Sequence, residues 1–175
     1  MVRATILLAM ATGLGVTGLA VFARPDPVLV WNRTASAPMG LYFRQDRNKE
    51  RPLTRGSRVL LVPDSRAGQW IISHGFAGKD WPMLKTVKAV SGDIICRNGL
   101  EISVNSKPVA TARETTSSGL VLPSWQGCKQ LSEDEFFLLN DHPRSLDGRY
   151  FATAKTEDIM GIAAPIWTFN VADAR

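Results

Sequence analysis

"MLKTVKAVSGDIICRNGLEISVN", residues 83–105, sets short apolar runs against turn residues, and its reading decides the fold. If residues 84–90 form a strand, Lys85, Val87 and Ala89 share one face while Leu84, Thr86, Lys88 and Val90 share the other, because successive side chains alternate across the pleat. Asn98-Gly99, between "DIIC" and "LEISV", predicts a hairpin with a type I′ turn, since both residues tolerate positive φ. Outward from this stretch, "GSRVLLVP" (56–63) predicts a buried strand bounded by Gly and Pro. "PDSRAGQWIISHG" (63–75) predicts a short helix with Asp64 as N-cap and Gly75 as stop. "GLVLP" (119–123), "EFFLLN" (135–140) and "MGIAAPIW" (160–167) are further short apolar stretches. Many short strands with one or two brief helices specify a mainly-β domain, and the chain shows no internal repeat or low-complexity tract.

The chain has 175 residues, 45% of them hydrophobic and 21% charged, which suits an ordinary globular protein with room for one domain. Its start is different. Ala4 to Ala23 is an uncharged apolar run of about 20 residues, the length that crosses a bilayer. Val21-Phe22-Ala23 also suits cleavage after Ala23, so both a removed signal peptide and a retained anchor stay open. Pro25 and Pro27 prevent a helix from simply continuing, so residues 1–27 are assigned to a signal or anchor segment with its linker and 28–175 to the domain proper. Either way, that domain faces an export compartment.

Without Arg3, 20 basic face 16 acidic side chains, a dispersed formal charge of +4 that suits anionic lipid and marks no nucleic-acid groove. Cys96 and Cys128, the only cysteines, are expected to pair as a disulfide in an oxidising compartment, since they lack CxxC spacing. His74 and His142 are the only histidines and have no ligand spacing, so no metal site is expected. Trp31, Tyr42, Phe43, Trp70 and Trp81 are candidates for an apolar surface at the lipid headgroups, shared with the core.

The chain lacks a GxSxG elbow, an HExxH run and a CxxC pair. If Ser36, in "SAPMGLYF" (36–43), is a nucleophile, its proton needs another acceptor. A lysine among apolar groups is such a base, because burial disfavours the charged amine. Lys85 follows Pro82, Met83 and Leu84, and the strand alternation lets it face inward while Lys88 meets solvent.

"TASAPMGLY" (34–42), "MLKTVKAVSGD" (83–93) and "LNDHPRSLDGRYF" (139–151), in this order behind an apolar N-terminus, resemble the type I signal peptidases with a Ser-Lys dyad. The SxPxGLY form of the serine box resembles the TraF-type branch of conjugative transfer systems in particular. The resemblance implies a small signal-peptidase-like β domain, with Ser36 as nucleophile and Lys85 as general base, eight residues before Asp93 of the Gly92-Asp93 turn. It implies that Ser145 helps orient the lysine amine and that Asp147 and Arg149 form a supporting ion pair. The backbone N–H of Ser36 and the hydroxyl of Thr34 would be the oxyanion donors. Ala37 stands where the main branch has Met, "LND" stands where GDN is usual, and Ser91 stands where Pro is common.

The function so implied is a periplasmic endopeptidase associated with the inner membrane. It would act without a cofactor on a conjugative pilin precursor, through an acyl-enzyme that water or the pilin's own amino terminus resolves, the latter giving a cyclic product. Other components of the transfer apparatus are possible partners. Two alternatives stay open: a general type I signal peptidase that releases exported proteins, and a non-catalytic envelope component that keeps the fold as a scaffold.

Overall fold

The computed structural model describes residues 28–47 and 52–169, together with Ile6 and Met10. The expected anchor and its cleavage after Ala23 therefore fall outside the described residues. Eleven strands dominate the described chain: β1 (Leu29–Asn32), β2 (Met39–Gln45), β3 (Arg58–Leu61), β4 (Met83–Ala89), β5 (Ile94–Asn98), β6 (Glu101–Val104), β7 (Lys107–Thr111), β8 (Gly127–Gln130), β9 (Glu135–Leu138), β10 (Thr153–Lys155) and β11 (Ile159–Phe169). Two short helices, α1 (Arg66–Ser73) and α2 (Gly148–Phe151), complete the mainly-β architecture.

The strands form two antiparallel sheets. A seven-stranded sheet has the order β1-β2-β11-β3-β4-β9-β10, and a four-stranded sheet the order β7-β6-β5-β8. β11 holds the larger sheet together by pairing with β2 along one part and β3 along another. Its register shifts between Pro165 and Trp167, where a proline without an N–H is accommodated by a bulge.

Alternation in β3 and β4 sorts the core into two clusters. Val59, Leu61, Met83 and Val87 join the larger one with Ile71, Phe137 and Leu139, whereas Leu60 and Leu84 join Tyr42, Ala37 and Ala163 in the smaller. Val59 pairs with Lys85 and Leu61 with Met83, so Lys85 is delivered to the larger cluster's side of the sheet. Burying each of these large apolar side chains contributes roughly 1.5–3 kcal/mol before entropy is counted.

Several sequence expectations need correction. Ser65, and not Asp64, caps α1: its Oγ accepts from the Gly68 N–H at 3.1 Å and donates to the Val62 carbonyl at 2.8 Å. The β5–β6 hairpin exists, but Asn98 pairs with Glu101, so Gly99 and Leu100 form the turn and only Gly99 takes positive φ (61°). The turn with two positive φ values lies one hairpin later, at Asn105 (49°) and Ser106 (64°) between β6 and β7. "GLVLP" makes an isolated bridge, Thr115 to Val121, and no strand. Cys96 and Cys128 stand opposite each other on β5 and β8 and form a disulfide.

Candidate active site

The turn carrying Ser36 lies between β1 and β2, the outer two strands at one edge of the large sheet. Its shape is set by Asn32, a residue that local sequence did not single out. The Asn32 side-chain Nδ2 lies within hydrogen-bonding distance of the carbonyls of Thr34 (3.0 Å), Ala37 (3.2 Å) and Pro38 (3.0 Å). Its Oδ1 accepts from the Thr34 N–H at 3.2 Å and the Thr34 hydroxyl at 3.0 Å. The Tyr42 hydroxyl donates to the Pro38 carbonyl at 2.7 Å from a fully buried ring. Pro38 thus belongs to the turn, while Gly40 acts one step later. At φ 137° in β2, a Cβ on Gly40 would lie 2.1 Å from the Trp167 carbonyl oxygen, so only glycine lets β11 approach this closely.

Ser36 and Lys85 line one cleft of about 540 Å³, together with Thr34, Asn32 and Ser145. Ile71, Phe76, Trp81 and Met83 give its wall an apolar character. The Ser36 Oγ lies 3.1 Å from the Thr34 Oγ1. Among the described residues no hydrogen bond joins Ser36 to Lys85, an arrangement common before substrate binds.

Lys85 is only 5% exposed. Burial pushes its amine below the ordinary lysine value; Asp147 pulls it up and Arg149 pushes it further down. The apolar surroundings differ in part from the expected ones. Met83 shares its face, but Leu84 points to the opposite cluster, and Leu61, Leu138 and Leu146 line a small void of about 20 Å³ with Lys85 and Asp147. Lys88, on the other face, reaches the exposed Asp141 carboxylate at 2.8 Å.

The third box folds over the same lysine. Ser145 is 2% exposed and lines the cleft, and its Oγ has no hydrogen-bond partner among the described residues. A buried hydroxyl left without a partner is costly, so it suits a site where a neighbouring amine or a bound molecule completes the bond. Asp147 and Arg149 form a fully buried ion pair, Nη1 to Oδ2, at 2.6 Å. Asp147 also accepts from the backbone N–H groups of Asn140 (3.0 Å) and Arg149 (3.2 Å), the latter as the N-cap of α2. Burial pushes the Asp147 carboxyl up, against the pull of Arg149, Lys85 and these two N–H groups.

Asn140, noted in the sequence only as a departure from the usual box, is the tie between the two segments. Its Nδ2 donates to the Leu84 carbonyl at 3.0 Å and its Oδ1 accepts from the Thr86 hydroxyl at 3.3 Å. Its own carbonyl accepts from Arg149 Nη2 at 2.8 Å. Asn140 therefore bolts β4, which carries Lys85, to the loop that carries Ser145, Asp147 and Arg149. His142 is outside this set: its Nδ1 accepts from the Arg144 N–H at 3.2 Å, and it does not line the cleft.

Residues 1–168 match the family described as signal peptidase, peptidase S26. The chain belongs to that family. Among its relatives, the plasmid transfer protein TraF of Escherichia coli is 28% identical over 149 residues, covering 79% of this chain and 82% of that protein. A conjugal transfer protein TraF of Agrobacterium tumefaciens (strain 15955) is 29% identical over 148 residues, 79% of this chain and 82% of the relative. Another, from Agrobacterium fabrum (strain C58), is 27% identical over 177 residues and covers 96% and 98% of the two chains. The crystal structure of a signal peptidase I from Enterococcus faecalis V583 matches with a TM-score of 0.37 at 15% identity, over 67% of this chain and 98% of that one.

Proposed function

We propose that this member of the signal peptidase family is a serine endopeptidase in which Lys85 is the general base for Ser36. One observation carries the reading: a lysine amine, buried and held below its ordinary pKa by that burial, lines the same cleft as a serine on an ordered turn. A neutral amine is a competent acceptor for a hydroxyl proton, and burial makes the neutral form accessible at lower pH.

In the proposed cycle a substrate carbonyl enters the cleft above Ser36. The Ser36 Oγ attacks the carbonyl carbon, its proton passes to the Lys85 Nζ, and negative charge develops on the carbonyl oxygen. The Ser36 N–H, which has no acceptor among the described residues, and the Thr34 hydroxyl stabilise that charge. Collapse breaks the C–N bond, the Lys85 ammonium returns a proton to the leaving amine, and an acyl-enzyme remains on Ser36. Ser145 supplies a hydroxyl that fixes the amine's direction, and the buried Asp147–Arg149 pair holds the loop that presents it.

The substrate proposed is a conjugative pilin precursor: the names of the TraF relatives support a role in plasmid transfer, and the pilin is what the resemblance of the serine box to the TraF-type branch implies. The proposed site of action is the periplasmic face of the inner membrane, with the transfer apparatus nearby. Exposed apolar side chains support a lipid-facing edge, and the five candidates divide between it and the core. Trp31, Phe43 and Trp81 are exposed, whereas Tyr42 is buried in the small core and Trp70 is half-buried against Phe151. Trp167, 5.9 Å from the Trp31 ring and 60% exposed, belongs to the patch as well. Among the described residues no helix is long and apolar enough to cross a membrane.

The experiment is to incubate the purified protein with a pilin precursor and weigh the products. Cleavage lost in Ser36→Ala supports the reading; a mature product lighter by one water identifies cyclisation. Unchanged cleavage in Ser36→Ala overturns it.

A further inference from the structure

The hydrogen bonds around Ser36 run in one fixed direction. Asn32 is 8% exposed and ends β1, paired with Gly40. The side-chain atom facing three backbone carbonyls must be the NH₂ group, because a carbonyl cannot donate. The other amide atom, facing the Thr34 N–H, must then be the oxygen. That oxygen has no proton to give, so the Thr34 hydroxyl donates to it. With its single proton so committed, Thr34 Oγ1 can only accept at 3.1 Å from the Ser36 hydroxyl.

We propose that Asn32 is a positioning residue for catalysis: through Thr34 it fixes where the Ser36 hydroxyl sits and points in the free enzyme, and substrate opens the chain Ser36→Thr34→Asn32. A developing oxyanion competes with Asn32 Oδ1 for the Thr34 proton. When the Thr34 hydroxyl turns toward it, Thr34 leaves Asn32, and the Ser36 hydroxyl turns toward the lysine amine. Each hydroxyl rotates, and the only proton that changes atoms is that of Ser36, which passes to Lys85 when the Oγ bonds to carbon. Base activation and oxyanion stabilisation are thereby triggered by one event, the arrival of a carbonyl.

This inference rests on Ser36 being the nucleophile, so the test checks both separately. A peptide boronate, which takes Ser36 Oγ as a fourth ligand on boron and presents a negative oxygen, is added to the full chain carrying ¹⁵N-labelled asparagine. Intact mass and digestion show whether Ser36 is modified. NMR of the Asn32 carboxamide should show two slowly exchanging protons in the free protein and shifted resonances in the adduct.

An adduct on Ser36 with Asn32 resonances unmoved overturns the inference alone; no adduct overturns both it and the function it rests on. In a double-mutant cycle, Asn32→Ala takes from Thr34 Oγ1 the partner that places it beside Ser36, so acylation should slow about 10- to 100-fold with KM changed by less than about threefold. In a Thr34→Val background the same change should cost less than about threefold, because the link is already cut. Additive losses would show that Asn32 only shapes the turn and would overturn the proposal. The resonance test uses the unmutated chain, so it decides the matter even if a variant does not fold.

Discussion

Lys85 and Lys88 lie three residues apart and have opposite environments, and most of the proposed chemistry follows from that difference. Ser36→Ala and Lys85→Ala should each abolish processing with the fold retained. Lys88→Ala removes a half-exposed ion pair with Asp141, of a kind that contributes about 0–1 kcal/mol, so its activity should stay within a few fold. Precursor cleavage assays on the three variants, with circular dichroism as the fold control, check this. Loss of activity in Lys88→Ala alone would reverse the assignment.

The buried amine also predicts a stability effect of definite sign. Its folded pKa is below the unfolded value near 10.4, so between the two the unfolded chain binds more protons and stability rises with pH. Below the folded pKa the full penalty for charging a buried amine applies. Lys85→Met, similar in length and uncharged, should therefore melt at or above the wild type at pH 7, and the difference should shrink toward pH 10. Thermal melts at both values test it; a gap that widens with pH would contradict it.

At the scale of elements, the sequence made the central strands legible because alternation is local: β3 and β4 were readable from their apolar spacing. What it left hidden depends on contacts between distant segments. Asn140 acts on the Leu84 carbonyl, which its own box does not reveal; Asn32 is hidden for another reason, since it works on carbonyls of its own turn, whose shape the residue spacing does not give. The four residues of β8, all exposed, have no apolar pattern; pairing with β5 and the Cys96–Cys128 link place them. The Asn105-Ser106 turn was missed because it contains no glycine. The three boxes, in contrast, were readable because their residue types are unusual at that spacing.

Two element-scale predictions follow from those distant contacts. A Cβ on Gly148 would sit 2.6 Å from the Phe137 ring and 2.7 Å from the Leu138 carbonyl oxygen. Gly148→Ala should therefore destabilise by about 1–3 kcal/mol through overpacking beneath the Asp147–Arg149 pair. Urea titration measures it, and an unchanged midpoint would show that β9 yields freely. Replacing both cysteines by serine opens a link across 32 residues, which should cost about 2–4 kcal/mol. Thiol labelling of native, unreduced protein at both positions would show that no such link forms.

Over the whole molecule, the large sheet carries both the site and, at Glu135, an ion pair to Lys129 of the smaller sheet. The large sheet brings Ser36, on a turn at one edge, and Lys85, on an inner strand, to the same cleft, and the loop after β9 closes over the lysine. Acid sensitivity comes from Glu135, at the start of β9 in the same sheet. Burial alone would raise its carboxyl, but Lys129, Ser132 and Thr153 donate to it and hold it at about 2. Its contribution is present above the unfolded value near 4.5 and is lost as pH falls toward 2. Glu135→Gln should flatten the fall in stability across that window, as seen by denaturant melts at several pH values; an unaltered slope would assign the acid sensitivity to other carboxylates.

The central claim, that a buried lysine activates Ser36, is tested most directly by the pH dependence of single-turnover acylation with a pilin-derived peptide. The rate should rise along a limb governed by one deprotonation below the ordinary lysine range. Lys85→Met should abolish acylation, and Ser145→Ala should lower it about 10- to 1000-fold. A limb centred near 6.5, the ordinary histidine value, that vanished in His142→Ala while Lys85→Met still acylated would contradict the Ser-Lys mechanism.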